Sequence, residues 1–150
     1  MPLAVAACGF TPVYGPQGTG NALFDRILVQ APTDKDSYQL VKALEQRLGR
    51  GSAQEYRLDF TLSIQAEGQA VTITNVITRF SLVGTVDYKL IRTSDDAVVN
   101  SGQVQNFTGY SATGSTVETL AAERDAHERL MTILADQITA RLVSTTDLTA

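Results

Sequence analysis

Tyr56-Arg57-Leu58-Asp59-Phe60-Thr61-Leu62-Ser63-Ile64 is the stretch of sequence that decides the fold. Its even positions are apolar and its odd positions are polar, which is the period of a β-strand with one buried face. The odd positions carry charged and hydroxyl groups and no large apolar side chain. The second face of the sheet is therefore predicted to be polar and wettable.

The residues before this strand predict a second strand and a helix. Asp25–Ala31 is a short apolar segment that Pro32 stops. Apolar residues then recur at helical spacing between Tyr38 and Leu48. The possible caps of this helix are Thr33, Asp34 and Asp36, and its predicted end lies at Gly49 and Gly51.

The residues after the strand predict two more strands. Glu67-Gly68 is expected to be a turn, and an apolar stretch follows from Val71 to Arg92. The apolar parity of that stretch switches near Asn75–Thr78, which requires a bulge or a break. A turn at 93–96 precedes a weaker strand over Ala97–Tyr110.

A long helix is predicted to close the chain. Ser115 and Glu118 have the spacing of a capping box, and an apolar stripe runs on to Leu142 with an interruption at Arg124–Glu128. The order is β-α-β-β-β-α. It predicts an α+β fold, a two-layer sandwich with two helices on one face of a four-stranded, mostly antiparallel sheet.

Composition excludes several classes of function. The chain has 150 residues, with 12 basic and 16 acidic side chains, so its net charge of −4 gives no footprint for nucleic acid. The length suits a single domain. One histidine and one cysteine leave no common zinc site and no internal disulfide. No apolar run has the length of a membrane span.

Possible catalytic groups do not combine into a site. Glu123 and His127 are one helical turn apart, but a metal needs more ligands, so a solvated helix face is the preferred interpretation. Asp95-Asp96 belongs to a turn, and Ser111, Ser115 and His127 make no credible triad because Ser115 is a cap. We therefore expect no enzyme activity, no catalytic residue, no bound metal and no cofactor.

The N-terminus carries the only cysteine. Val5-Ala6-Ala7-Cys8 resembles the bacterial lipobox, in which small residues precede the cysteine that is acylated. Residues 1–7 are then a residual signal-peptide segment, too short to be a complete one. Residues 8–24, rich in glycine and proline, are predicted to be a lipidated tether. The alternative is that Cys8 is an ordinary small buried residue.

The segment Ala6–Gly15, with Cys8-Gly9-Phe10 followed by Pro12 and an aromatic residue, resembles the start of the LptE family. The strand and helix order and the charged C-terminal helix are similar to the alphaproteobacterial form of that family. The resemblance covers Cys8 to about Leu142. It implies an LptE-like domain over residues 25–143 and a flexible C-terminal tail over residues 144–150.

The resemblance also implies a function. Members of this family are non-enzymatic outer-membrane lipoproteins that plug the LptD β-barrel, support its assembly and assist delivery of lipopolysaccharide to the outer leaflet. The expected partners are the barrel, the bilayer through acyl chains such as palmitate on Cys8, and lipopolysaccharide itself. Gly9 after Cys8 is compatible with sorting to the outer membrane. The alternative is a generic periplasm-facing lipoprotein that binds a small ligand or another protein.

Cationic side chains are the candidates for contact with lipopolysaccharide phosphates or with the barrel. They are Arg57, Arg79, Lys89 and Arg92, all in or beside the central strands. Solubilising surface charge is the alternative role for each of them. Arg79 is the first to test because it lies next to the predicted bulge.

Overall fold

The computed structural model describes residues 12, 15, 18–71, 73 and 76–146. Its elements in chain order are α1 (Thr19–Leu23), β1 (Ile27–Val29), α2 (Lys35–Leu48), β2 (Tyr56–Val71), β3 (Ile77–Arg92), β4 (Val98–Ser111) and α3 (Thr116–Thr145). The predicted α+β class and the β-α-β-β-β-α order are confirmed, with α1 as an additional short helix. Cys8 and the predicted signal segment 1–7 lie outside the described residues.

The strands form one sheet in the order β1-β2-β3-β4. β1 is parallel to β2 because α2 crosses over between them, whereas β2, β3 and β4 are antiparallel neighbours. Leu58 lies opposite Leu90, and Val86 lies opposite Val104, all four buried on the side that α2 and α3 cover. The single hydrophobic core therefore lies between the two helices and this side of the sheet.

Local hydrogen bonds fix where the helices begin. Of the three possible caps of α2, Asp34 is the one used. Its carboxylate accepts from the Ser37 backbone N–H at 2.8 Å, and the Ser37 hydroxyl accepts from the Asp34 N–H at 2.9 Å. Ser115 and Glu118 form the predicted capping box of α3. α2 ends at Gly49, whose φ of 81° favours a residue without Cβ.

α3 lies against β3 and β4 along most of its length. Its buried residues begin at Ala126 and continue to Val143, so the first turns are mostly exposed. Gly84 permits the close approach: a Cβ there would lie 2.9 Å from Leu134 Cδ1 and 3.0 Å from Leu130 Cδ2.

The predicted turn at Glu67-Gly68 is wrong. Glu67 pairs with Ser81 and Gly68 pairs with Phe80, so β2 continues to Val71. The register is irregular between Gly68 and Val71, and β3 begins at Ile77. The parity switch near Asn75–Thr78 therefore marks a break between two strands, and the irregular pairing lies just before it on β2.

Helical residues lie beyond both predicted limits of the domain. Thr19–Leu23, within the predicted tether 8–24, forms α1, and Leu23 is fully buried in the core. At the other end α3 continues to Thr145, within the predicted tail 144–150. Thr146 is also buried, and its hydroxyl accepts from Asn100 Nδ2 at 2.8 Å.

Candidate interaction face

The side of the sheet opposite α2 and α3 is the candidate functional site, and we call it the open face. It consists of the odd-numbered residues of β2 from Arg57 to Glu67, of β3 from Arg79 to Lys89 and of β4 from Ser101 to Phe107. None of the described elements covers it. The predicted polar parity of β2 is confirmed, since Thr61 and Ser63 are exposed while Tyr56, Leu58 and Phe60 are buried.

Hydrogen bonds and ion pairs along the strands order the open face. Arg57 Nε donates to Asp59 Oδ1 at 3.0 Å on the same strand. Between β4 and β3, Gln103 Nε2 donates to Asp87 Oδ1 at 2.8 Å and Gln105 Nε2 donates to Thr85 Oγ1 at 3.2 Å. Charges of both signs alternate with amides and hydroxyls, so the open face offers hydrogen-bond partners rather than a field of one sign.

A depression of about 460 Å³ lies on the open face, open to solvent on one side. Its polar lining includes Asp59, Thr61, Asp87, Lys89 and Ser101. Lys89 lies directly opposite Asp59 in the sheet register. Two carboxylates around one amine can hold a polar group by charge-assisted hydrogen bonds.

The structure brings two of the four predicted contact residues together. Arg57 and Lys89 lie on adjacent strands of the open face, near the depression. Arg79 is on the same face, but ten residues along β3 from Lys89 correspond to about 34 Å at the rise of a strand. The three residues therefore cannot contact one phosphate group.

Arg92 does not belong to the open face. It lies opposite Tyr56, at an even position of β3, and therefore on the helix-covered side of the sheet. Its Nη1 is 3.2 Å from Asp95 Oδ2, so it forms an ion pair with the turn that follows β3. Arg92 therefore lies apart from the other three candidate cations, and its role as a contact residue stays a prediction.

Arg79 is exposed, and its side chain makes no hydrogen bond or ion pair within the described part of the chain. It pairs in the sheet with Ala70, where the register of β2 is irregular. Arg79 therefore lies beside an irregular pairing, but the irregularity is on β2 and not at the predicted position near Asn75–Thr78. The role of Arg79 in binding stays a prediction.

Sequence reasoning missed the one large aromatic group on the open face. Phe107 is 68 % exposed and lies opposite Val83. Exposed aromatic side chains are common anchors in protein interfaces. The signal was its odd position in a strand whose buried residues, Val104 and Thr108, are even.

His127 joins the two helices. Its Nδ1 lies 2.9 Å from Asp36 Oδ1, so the residue is held between α3 and α2 rather than free on a solvated surface. In the ranges that the structure describes, no group of three or more histidine, cysteine, aspartate or glutamate residues could hold a metal ion. Ser115 is occupied as the cap of α3.

Two tyrosines on the helix side are kept protonated by their surroundings. Burial raises the pKa of Tyr88, and the charge and hydrogen bond of Arg141 oppose that rise only in part. Burial also raises the pKa of Tyr110, and the carboxylate of Glu123 adds to the effect. Both hydroxyls stay neutral donors near neutral pH rather than serving as bases.

Fold and site together define a class: a small α+β domain whose sheet has one helix-covered face and one open polar face. Within the described ranges, no helix is both long and apolar enough to cross a bilayer. The sequence model of the LptE lipopolysaccharide-assembly family matches residues 24–142. The chain belongs to the LptE family. A comparison with curated proteins gave no match.

Solved structures share this fold. A candidate lipoprotein from Caulobacter crescentus is 25 % identical, with a TM-score of 0.70 over 84 % of this chain and 93 % of that chain. Uncharacterized lipoprotein B from Nitrosomonas europaea is 14 % identical, with a TM-score of 0.61 over 81 % of this chain and 83 % of its own. Rare lipoprotein B from Shewanella oneidensis is 11 % identical, with a TM-score of 0.58 over 79 % of this chain and 92 % of its own. The last two likenesses concern the fold alone.

Proposed function

We propose that this chain is an outer-membrane lipoprotein that plugs an LptD-type β-barrel, supports the assembly of that barrel and assists delivery of lipopolysaccharide to the outer leaflet. The observation that carries the proposal is the open face, together with membership of the LptE family. The lumen of a large membrane barrel is polar. A polar sheet face that no described element covers can form hydrogen bonds to such a wall. Its polar groups then exchange water for new partners, and none is left buried without a hydrogen bond.

The proposed role requires positioned surfaces and no chemistry. Several polar and charged groups of the open face are already hydrogen-bonded to one another, as in the Arg57–Asp59 and Gln103–Asp87 pairs. Pre-ordered side chains lose less conformational entropy when they dock. Phe107 supplies one apolar anchor among them.

An affinity pull-down tests the barrel partnership. A tagged copy of the chain is recovered from gently solubilised outer membranes, and one large barrel protein is expected in equal amount. Ser63→Trp places a bulky group in the open face, and Gln46→Trp places the same group on the exposed side of α2.

The Ser63→Trp variant should lose the barrel, whereas the Gln46→Trp variant should retain it. Recovery of a folded chain with no barrel partner at all would defeat the proposal. Depletion gives an independent readout: less folded barrel, and weaker exclusion of apolar antibiotics by the outer membrane.

Cys8 is proposed to be the lipid anchor, with no other cofactor. Each buried CH₂ of an acyl chain contributes about 0.8 kcal/mol to membrane binding, and stable anchoring needs a second chain or another signal. Mass spectrometry of the mature N-terminus should show acyl groups on Cys8 as the first residue. An unmodified thiol, or a mature chain that starts elsewhere, contradicts the anchor and leaves the barrel proposal standing.

Contact with lipopolysaccharide is proposed through Arg79 or through the Arg57 and Lys89 pair, which lie on the open face. Arg79→Glu and Lys89→Glu each reverse one charge, and Lys42→Glu does the same on α2 as a control. Weaker binding to purified lipopolysaccharide is expected for one of the first two variants only. Equal binding by all three variants would mean that these charges serve solubility.

The depression of about 460 Å³ favours a second candidate function, a lipoprotein that holds a small polar ligand. The pull-down separates the two candidates. Two results together support this second function: the chain is recovered without a barrel, and the Lys89→Glu variant loses binding of the small ligand.

A further inference from the structure

β4 is one of the two edges of the sheet, opposite the edge at which β1 lies. Along an antiparallel edge strand, alternate residues direct both backbone groups away from the neighbouring strand. The carbonyls of Gln103 and Gly109 accept hydrogen bonds from outside the sheet, which identifies the odd-numbered residues as the outward ones. Such a row of backbone groups is a template on which another chain can pair.

β4 carries little of the usual protection, because its register irregularity lies at Val99, close to its start. Its 14 residues, Val98–Ser111, include no charged residue and no proline. Natural edge strands are usually short or interrupted by lysine, proline or bulges. An uncharged, proline-free strand of this length has the composition of a self-pairing segment.

Side chains from α3 occupy this edge instead. Arg141 Nη1 donates to the Gln103 carbonyl at 2.9 Å, and Arg129 Nη2 donates to the Gly109 carbonyl at 3.3 Å. Between these two positions, the Phe107 N–H donates to Asn106 Oδ1 at 2.8 Å. Three outward backbone groups are thereby paired within the chain.

The spacing of the two arginines fits the strand. Twelve helical residues separate Arg129 from Arg141, or about 18 Å along α3. Six strand residues separate Gln103 from Gly109, or about 20 Å along β4. α3 runs antiparallel to β4, so its two arginines reach the edge at matching distances.

We propose that Arg129 and Arg141 close the free edge of β4 against antiparallel pairing with a second copy of this chain. The partner that the two arginines exclude is a second copy of this chain, because the sequence of β4 is compatible with pairing to another β4. Antiparallel pairing centred on Gln105 places Gln103 opposite Phe107 and brings no like charges together. A second β4 needs the same carbonyls that the two guanidinium groups hold.

Removal of both arginines tests the proposal. The full chain with Cys8→Ser serves as the background, so that thiol oxidation cannot link two copies. Arg129→Ala with Arg141→Ala should convert a monomer into a dimer, measured by light scattering after size exclusion. The control, Arg50→Ala with Arg124→Ala, removes two exposed arginines elsewhere and changes the net charge by the same amount. It should remain a monomer.

A proline distinguishes edge pairing from general loss of stability. The Gln105 N–H points outward, so Gln105→Pro removes an outward donor and leaves the β3–β4 hydrogen bonds intact. Added to the double arginine variant, it should restore the monomer. Arg141 also interacts with the Tyr88 hydroxyl, so Tyr88→Phe tests that contact separately and should stay monomeric.

Two outcomes overturn the proposal. One is a double arginine variant that stays monomeric with native circular dichroism. The other is a dimer that persists with Gln105→Pro, since its contact then lies elsewhere. A thiol at Gln105→Cys in the double variant should crosslink to its own counterpart through a short bifunctional maleimide, and failure to do so counts against β4 pairing.

Discussion

Asp34 fixes the start of α2 through its reciprocal hydrogen bonds with Ser37. The hydrogen bond from the backbone N–H of Ser37 is the main reason that the pKa of Asp34 lies below the usual value for an aspartate, and burial opposes the shift. The folded carboxyl therefore holds its proton less tightly than the unfolded one. Its stabilising contribution is complete above the unfolded pKa and is lost as the pH falls through the folded pKa.

We expect Asp34→Ala to lower the free energy of unfolding by about 1 kcal/mol at pH 7, as for other N-cap losses. The difference from the parent chain should begin to shrink as the pH falls below about 4, the usual pKa of an aspartate, and should shrink further as the pH falls through the lower pKa of the folded carboxyl. Asp34→Asn keeps a side-chain acceptor and should show a smaller loss without that pH dependence. Urea unfolding at several pH values measures both, and a difference that does not vary with pH contradicts the prediction.

Gly84 sets how closely α3 approaches the sheet. A methyl group at this position meets Leu134 Cδ1 at 2.9 Å and Leu130 Cδ2 at 3.0 Å, so the two leucines must shift. We expect Gly84→Ala to cost about 1–3 kcal/mol in unfolding free energy, as overpacking of a core does. Gly109→Ala, on the exposed side of β4 with one backbone oxygen at 3.2 Å, is the control and should cost less.

At the scale of elements, the alternation of apolar and polar residues in β2 predicts the two faces of the sheet, because every second side chain lies on the buried face. The end of β2 was not predictable in this way. Ala66, Gly68 and Ala70 are too small to show which face of a strand is buried, so the sequence alone indicates a turn at Glu67-Gly68. Cross-strand pairing with β3 decides that β2 continues.

The arginine contacts to β4 also cannot be predicted from the sequence. Arg129, with Asp125 one helical turn before it, and Arg141 look like ordinary surface charges on a long helix. Only the position of α3 beside β4 brings them to the backbone carbonyls of that strand. The same holds for His127, whose partner Asp36 is 91 residues away. Contacts between distant elements depend on packing, which periodicity does not encode.

Phe80 and Tyr110 join β3 to β4, near the first residues of β3 and the last residues of β4. Their rings are opposite in the register and stacked, with centroids 5.3 Å apart and planes 16° from parallel. We expect a double-mutant cycle with Phe80→Ala and Tyr110→Ala to give a coupling of about 0.5–1.5 kcal/mol. Urea unfolding of the four chains measures it, and additive losses contradict a direct interaction.

At the scale of the whole molecule, one core extends from α1 to the end of α3. Leu23 is fully buried against this core although it precedes the domain limit predicted at residue 25. A glycine-rich context hid the short helix, because Gly18 and Gly20 suggest a linker when taken alone. The open face, by contrast, is predictable from the polar residues at every second position of β2.

The burial of Leu23 predicts that the domain needs residues before 25. Leu23→Ala should lower the unfolding free energy by about 2–5 kcal/mol, as core leucine truncations do. Phe24→Ala, at a side chain that is 56 % exposed, should change it by less than about 1 kcal/mol. A chain that begins at residue 25 should melt at a lower temperature than one that begins at residue 18, because it lacks α1. Equal stability of Leu23→Ala and Phe24→Ala would mean that α1 does not contribute to the core, and that the domain does begin after it.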